Sequence, residues 1–197
     1  GLGQPVGLFA GDRDGGGETD VLVAEQPAGN IFTVINGGNG ATWASNIDID
    51  TGISGVGAVY AADLRGSGNL DVAAVMGSGI GSRVAWYAND AGSFGTRQSA
   101  ASFPSVQGPV ALALADLDSD GDQDIAVVSQ GSDALAWLES SGSATPSFSL
   151  HTVDATLSDP SALAAGNIDG RAGPDLVAVS PNAGGIRWYR NGFSVSF

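Results

Sequence analysis

The stretch ADLDSDGDQDIAVV at positions 115–128 joins two apolar segments through a nine-residue acidic loop. Counted from Asp116 as loop position 1, carboxylates stand at every odd position and glycine stands at position 6. Calcium takes about six to eight oxygen ligands, which acids on alternate residues of a tight turn can supply, and glycine permits the sharp bend. The loop therefore predicts a Ca²⁺ site with ligands from Asp116, Asp118, Asp120, Asp122 and Asp124.

This loop differs from the calcium loop of an EF-hand. An EF-hand needs a bidentate Glu at loop position 12 and a helix on each side. Position 12 here is Val127, and the flanks ALALA and IAVV are short and β-branched or alternating. The acidic loop is therefore predicted to connect two strands.

The same loop frame occurs four times. GDRDGGGETDVLVA begins at residue 11, ADLRGSGNLDVAAV at residue 62 and GNIDGRAGPDLVAV at residue 166. Loop position 1 falls at residues 12, 63, 116 and 167, so the spacings are 51, 53 and 51 residues. A second marker recurs every 51 residues at Trp86, Trp137 and Trp188, with Val34 in the corresponding place of the first copy. Two markers with one period establish an internal repeat.

Each repeat divides into four short strands, and no segment has a helical period of apolar residues. Four strands in a unit of about 50 residues are typical of a propeller blade. The chain is predicted to be all-β: one β-propeller domain of four four-stranded antiparallel blades, with approximate bounds 4–54, 55–107, 108–158 and 159–197. FSVSF at 193–197 is the expected outer strand of the last blade. The sequence leaves open whether the four blades close as one ring, pair with another chain or belong to a longer protein. A homo-oligomer or larger assembly is expected.

The D-x-D-x-D-G-x-x-D loop, with the W-Y-x-N turn that follows it, resembles the FG-GAP or VCBS repeats of integrin-like β-propellers, which include propeller lectins. The resemblance extends from about residue 4 to residue 197, and the third repeat matches it most fully. It implies a bound Ca²⁺ in each intact loop and an extracellular or cell-surface role in recognition or adhesion.

The other loops depart from this pattern in ways that bear on metal binding. The first loop keeps Asp12, Asp14 and Asp20 but has glycine at position 5, so water or Glu18 would have to supply the missing ligand of a second metal site. The second and fourth loops carry Arg65 and Arg171. A guanidinium inside an acidic loop provides the charge that an ion would otherwise provide. We therefore expect internal salt bridges in those two loops.

Composition excludes several classes of function. The net charge is −14, and all seven basic residues are arginines. A surface with this charge repels phosphate backbones, so nucleic acid is not an expected partner. No apolar run approaches the length of about 18 residues that a membrane-spanning helix needs, so membrane insertion is not expected. The absence of cysteine excludes disulfides and thiolate chemistry.

Catalytic patterns are weak, and no enzymatic activity is expected. His151 is the sole histidine, no G-x-S-x-G motif occurs, and three glutamates offer little for a glycosidase pair. The repeated tryptophans are expected in the core between blades, whereas Trp43 has no counterpart in other repeats and is the candidate for an exposed glycan contact. Glycan, or an extracellular protein, is the expected partner. The alternatives are a structural protein of a surface assembly or filament, and an accessory domain of a secreted enzyme.

Overall fold

Seventeen strands and one short 3-10 turn form the described part of the chain. The computed structural model describes residues 3–38, 40–44, 46–77, 82–100 and 107–191. Within these ranges there is no α-helix, and every pairing between neighbouring strands is antiparallel. The all-β prediction is confirmed.

The strands form four successive sheets and one small hairpin. The first sheet contains β1 (Gln4–Gly11), β2 (Asp20–Gln26), β3 (Asn30–Val34) and β4 (Ile47–Asp50). The second contains β5 (Val59–Ala62), β6 (Asp71–Met76), β7 (Arg83–Tyr87) and, as its fourth strand, β10 (Gln98–Ser99), after a hairpin of β8 (Asn89–Asp90) and β9 (Ser93–Phe94). The third contains β11 (Pro109–Ala115), β12 (Asp124–Ser129), β13 (Ala134–Ser140) and β14 (Phe148–Asp154). The fourth contains β15 (Ala162–Gly166), β16 (Asp175–Ser180) and β17 (Gly185–Tyr189), with the 3-10 turn at Pro181–Ala183.

Four blades of four strands are not confirmed. Three sheets have four strands, but the described part of the fourth has three, and the expected outer strand at 193–197 lies outside the described residues. Successive sheets meet through their first strands, since β1 contacts β5, β5 contacts β11 and β11 contacts β15. Over the described residues the sheets do not form a closed propeller.

The second and third sheets each bury one face against the sheet before and the other against the sheet after, because side chains alternate along a strand. Three clusters of buried apolar residues fill the three spaces between consecutive sheets. Trp86 and Trp137 lie in these clusters, as predicted. Trp188 does not: it is 46% exposed, because it lies on the outward face of the last sheet. The prediction of a core position for Trp188 was wrong.

Strand register corrects one assignment in the first repeat. Trp86 and Trp137 pair with Ala73 and Ala126, the second residues after the acidic loop. In the first sheet the equivalent pair is Leu22 with Thr33. Thr33, and not Val34, therefore takes the place of the repeated tryptophan. The segment between loop and tryptophan is two residues longer in the second repeat than in the third and fourth, so one constant spacing does not fix this register.

Two polar latches join neighbouring sheets, each between an aspartate on the outer strand of one sheet and a tyrosine on the third strand of the next. The first consists of Asp50, Tyr87 and Arg97, and the second of Asp154, Tyr189 and Arg187. In each latch the tyrosine hydroxyl and the arginine both donate to one carboxylate oxygen over 2.7 Å. Burial raises the pKa of each aspartate, but the donated hydrogen bonds outweigh it and lower the pKa of Asp154 to about 2.

Replacement of Asp154 by asparagine is expected to lower stability in a pH-dependent way. The pKa of Asp154 is lower in the folded chain than the ordinary 3.8, so its charge stabilises the fold above about pH 4, and this contribution disappears as pH falls through about 2. Solvent screening reduces this contribution, so Asp154→Asn should lower the free energy of unfolding by about 1–2 kcal/mol at pH 6. Urea unfolding between pH 2.5 and 6 measures the difference, with exposed Asp159→Asn as control. A cost that does not change with pH would contradict the assignment.

Candidate metal centre

The last acidic residue of each loop has the same structural task in all four repeats. These residues are Asp20, Asp71, Asp124 and Asp175, and all are buried. Each accepts a hydrogen bond of 2.8 Å from a backbone amide at or just beyond the end of its sheet's third strand, donated by Asn36, Asn89, Ser140 and Asn191, respectively. A buried carboxylate needs such donors. Loop position 9 thus ties the acidic loop to the sheet, whatever the other positions bind.

The third loop brings three acids together. Asp116, Asp118 and Asp120 each place a carboxylate oxygen within 4.8 Å of the others. One oxygen of Asp116 accepts a hydrogen bond from the amide of Gly121 over 3.1 Å, whereas the other, Oδ1, is buried and has no hydrogen-bond partner. A buried, unpartnered carboxylate oxygen is costly unless a cation neutralises it. This triad can hold a metal ion.

The two remaining predicted ligands of the third loop lie outside this triad. Asp124 accepts the amides of Leu117 and Ser140, both over 2.8 Å. Asp122 donates its own amide to Asp120 over 2.9 Å and does not join the cluster. The structure therefore brings together three of the five predicted ligands. Asp124 instead anchors the loop to the sheet through the amides of Leu117 and Ser140.

The electrostatics of the third loop favour a cation. Burial, and in addition the charges of Asp118 and Asp120, raise the pKa of Asp124 to about 7 despite its two amide donors. Burial and the neighbouring Asp120 also raise the pKa of Asp118. Carboxylates resist ionisation where negative charges accumulate without compensation, and a bound divalent ion reverses that effect. Among the described residues, no arginine forms an ion pair with this loop.

The second loop is closed by an arginine, as expected. The Arg65 guanidinium donates to Asp71 over 3.0 Å, to Asp90 over 2.9 Å and to the carbonyl oxygen of Asn89 over 2.8 Å. Arg65 and Asp71 are both shielded from solvent. Arg65 therefore supplies the positive charge beside the buried Asp71 of this loop.

The first loop contains an arginine that the sequence interpretation missed. Arg13 is buried, and its guanidinium lies 3.2 Å from Asp14 and 3.4 Å from Asp20, while it also donates to the carbonyl oxygen of Gly92 over 2.8 Å. Asp12 accepts the amides of residues 15 and 17, and Glu18 lies at the loop surface. Two of the four predicted ligands of this loop are thus paired with a protein cation. A signal was present, because loop position 2 is apolar in the other three repeats.

The fourth loop contains the expected ion pair of Arg171 and a second, closer one from an arginine just beyond β17. Arg190 lies 2.9 Å from Asp169, whereas Arg171 lies 3.6 Å from it and its side chain is 67% exposed. The pattern across the molecule is consistent: three loops contain an arginine–aspartate pair, and the third loop has a triad of acids instead. Hard oxygen ligands of this kind suit Ca²⁺.

The remaining candidate residues lie apart from the loops' acids. Trp43 is 48% exposed and pairs with Asn36 in an isolated bridge beyond β3. His151 lies on β14, where its ring stacks on Trp137 and its Nε2 is 2.7 Å from Glu139. The histidine is therefore engaged in a cross-strand contact at the edge of the third sheet.

Comparison with known protein families supports the resemblance seen in the motifs. No curated protein matches the chain. Within the described residues, no helix is long and apolar enough to cross a membrane. Residues 66–127 match the family model of an FG-GAP-like repeat, a segment that runs from the middle of the second loop through the whole third loop and into β12. This part of the chain is similar to an FG-GAP-like repeat.

Proposed function

We propose that this chain is a non-enzymatic, calcium-stabilised recognition or adhesion module of integrin-like propeller type that acts outside the cell or at its surface. One observation carries the metal part of this proposal: the acid triad of the third loop includes a buried Asp116 oxygen with no hydrogen-bond partner. The FG-GAP-like match over the same loop supports a repeat module of adhesion type.

In this proposal Asp116, Asp118 and Asp120 hold Ca²⁺, and the metal acts on structure. The ion would fix the turn between β11 and β12, since one end of the loop is already anchored by buried Asp124. Extracellular calcium is abundant enough to saturate sites of modest affinity. The other loops reach a similar state with Arg13, Arg65 and Arg190.

Glycan is the ligand class that we propose first. Pyranose rings stack on exposed aromatic faces, and Trp43 presents such a face beyond the first sheet. The net charge of −14 also favours neutral or cationic partners over acidic polymers.

Glycan-array binding of the chain, followed by titration of the strongest glycan, tests this ligand class. Trp43→Ala removes the stacking surface, so the dissociation constant of that glycan should rise at least about tenfold. Tyr60→Ala, which removes another partly exposed aromatic side chain, is the control and should bind normally. Equal binding by Trp43→Ala and the original chain would contradict the assignment of Trp43, and no binding to any glycan would contradict the ligand class.

A structural role in a surface assembly is the second candidate. The specific observation in its favour is that large apolar side chains are exposed on the outward faces of the first and last sheets, Leu8 and Ile186 among them. Concentration-dependent association without glycan binding would favour this role.

A further inference from the structure

Leu117, the second residue of the third loop, lies between the acid triad and the fourth sheet. It stands between Asp116 and Asp118 in the chain, and both of these belong to the triad. The side chain of Leu117 is buried in the same cluster as Leu163 and Leu176 of the fourth sheet. The residue between two predicted metal ligands is therefore part of the contact between the third and fourth sheets.

The backbone of Leu117 is held on both sides as well. Its amide donates to the buried carboxylate of Asp124 over 2.8 Å, and its carbonyl oxygen accepts a hydrogen bond from the side-chain amide of Asn191. Asn191 follows β17, and its own backbone amide donates over 2.8 Å to Asp175, the buried acid of the fourth loop. A path of hydrogen bonds thus runs from the fourth sheet to the peptide bond between Leu117 and Asp118.

The first loop makes the same kind of contact with the second sheet. Asn89 has the place of Asn191 in its own sheet, and its side-chain amide donates to the carbonyl oxygen of Arg13 over 2.7 Å. Arg13 is the second residue of its loop, and its guanidinium pairs with Asp14 and Asp20. The first loop thus has a cation of the protein itself at this contact, whereas the third loop has the acid triad there.

This geometry links the metal site to the contact between the sheets. Without an ion the triad carries uncompensated charge, and the buried Oδ1 of Asp116 has no hydrogen-bond partner. The repulsion between Asp116 and Asp118 is relieved when the backbone of the loop opens, and Leu117 lies in that backbone. An opened loop therefore disturbs the packing of Leu117 and its hydrogen bond from Asn191. An ion that favours the closed loop also favours the docked fourth sheet, and the reverse holds by thermodynamic linkage.

We propose that calcium in the third loop holds the fourth sheet against the third, so that removal of the ion lets the fourth sheet open before the rest of the chain. This inference rests on the proposed calcium site and adds a regulated contact to it. Parts of a fold open separately when their local contacts are weaker than the whole. The contact between the first and second sheets lacks this dependence, because Arg13 supplies its charge permanently.

Hydrogen exchange of backbone amides tests the proposal. With calcium at about a hundred times its dissociation constant, amides of β15 and β16 should exchange at least about tenfold more slowly than in chelator. Amides of β2 and β3, in the first sheet, should slow by less than about threefold. Equal slowing in both sheets would show that the ion acts on the whole fold, and no slowing in the fourth sheet would show that it acts on the loop alone. Either result would overturn the proposal.

Titration calorimetry with CaCl₂ on the same samples separates this inference from the metal site itself. Calcium binding without slower exchange in the fourth sheet would overturn the link and leave the calcium site intact. No calcium binding would overturn both.

Replacement of the second loop residue locates the link. Leu117→Ala keeps every acid of the third loop but removes the side chain between the triad and the fourth sheet. This variant should still bind calcium, but the slowing in β15 and β16 should fall below about threefold. Leu64→Ala removes the corresponding side chain of the second loop, which is buried between the second and third sheets. It is the matched control and should keep the full response.

Asn191→Ala is a milder variant, because it removes one hydrogen bond to Leu117 and leaves the apolar packing in place. It serves where Leu117→Ala does not fold, and its calcium-dependent slowing in β15 and β16 should be smaller than that of the original chain. An undiminished response in either variant would overturn the proposal.

Discussion

Removal of calcium is expected to lower the thermal midpoint of the chain by about 5–10 °C. A ligand at about a hundred times its dissociation constant stabilises the native state by about 2.7 kcal/mol, and each kcal/mol corresponds to about 2–4 °C in a domain of this size. The physical reason is local: without the ion, the acids of the third loop repel one another around a buried, unpartnered Asp116 oxygen. Calorimetry with calcium and with chelator measures the shift.

Two variants at matched loop positions locate the effect. Asp118→Asn removes a charge from the triad and should abolish the response to calcium. Asp14→Asn changes the equivalent position of the first loop, where the acid pairs with Arg13, and should leave the response intact. A response that survives Asp118→Asn, or disappears with Asp14→Asn, would show that the third loop is not the metal centre.

Replacement of Arg65 by methionine is expected to lower the free energy of unfolding by about 3–5 kcal/mol at pH 7. Removal of one partner of a buried ion pair leaves the charge of the other without compensation. Asp71 would be that group: its side chain is fully buried, and burial already raises its pKa although Arg65 lowers it. Without the guanidinium this pKa rises further, so the deficit should shrink as pH falls and Asp71 takes up a proton. Urea unfolding at pH 7 and pH 5 measures both effects.

Arg171→Met is the matched control for Arg65→Met. Arg171 stands in an acidic loop of the same frame, but its side chain is 67% exposed and 3.6 Å from Asp169, so its loss should cost less than about 0.5 kcal/mol. Equal costs for the two variants would contradict the conclusion that Arg65 takes the place of an ion.

Much of the strand order was predictable from the sequence because the acidic loop lies between the first and second strands in every repeat. Position 9 of each loop must be anchored, and the apolar residues that follow it alternate between two sheet interfaces, so the loop frame fixes the first two strands of each repeat. Thr33 shows the limit of that marker. The turn between the second and third strands varies in length, and the register beyond it depends on pairing.

The exposed Trp188 could not be foreseen from repetition. A repeated residue has the same place in its own sheet, but burial also requires a neighbouring sheet, and the last sheet has none on its forward side within the described chain. Likewise, the pattern of loop acids did not predict the ion pairs of Arg13. That residue stands at loop position 2, which the acid pattern leaves undefined. The divergence of the four loops therefore depends on where each repeat places its arginine.

Calcium stoichiometry tests the central claim most directly. Titration calorimetry of the metal-free chain with CaCl₂ should show one ion bound per chain, with no binding by Asp118→Asn and unchanged binding by Asp14→Asn. One ion would mean that the third loop alone uses metal while arginines serve the other three. Two or more ions per chain, or none at millimolar calcium, would contradict that division between the loops.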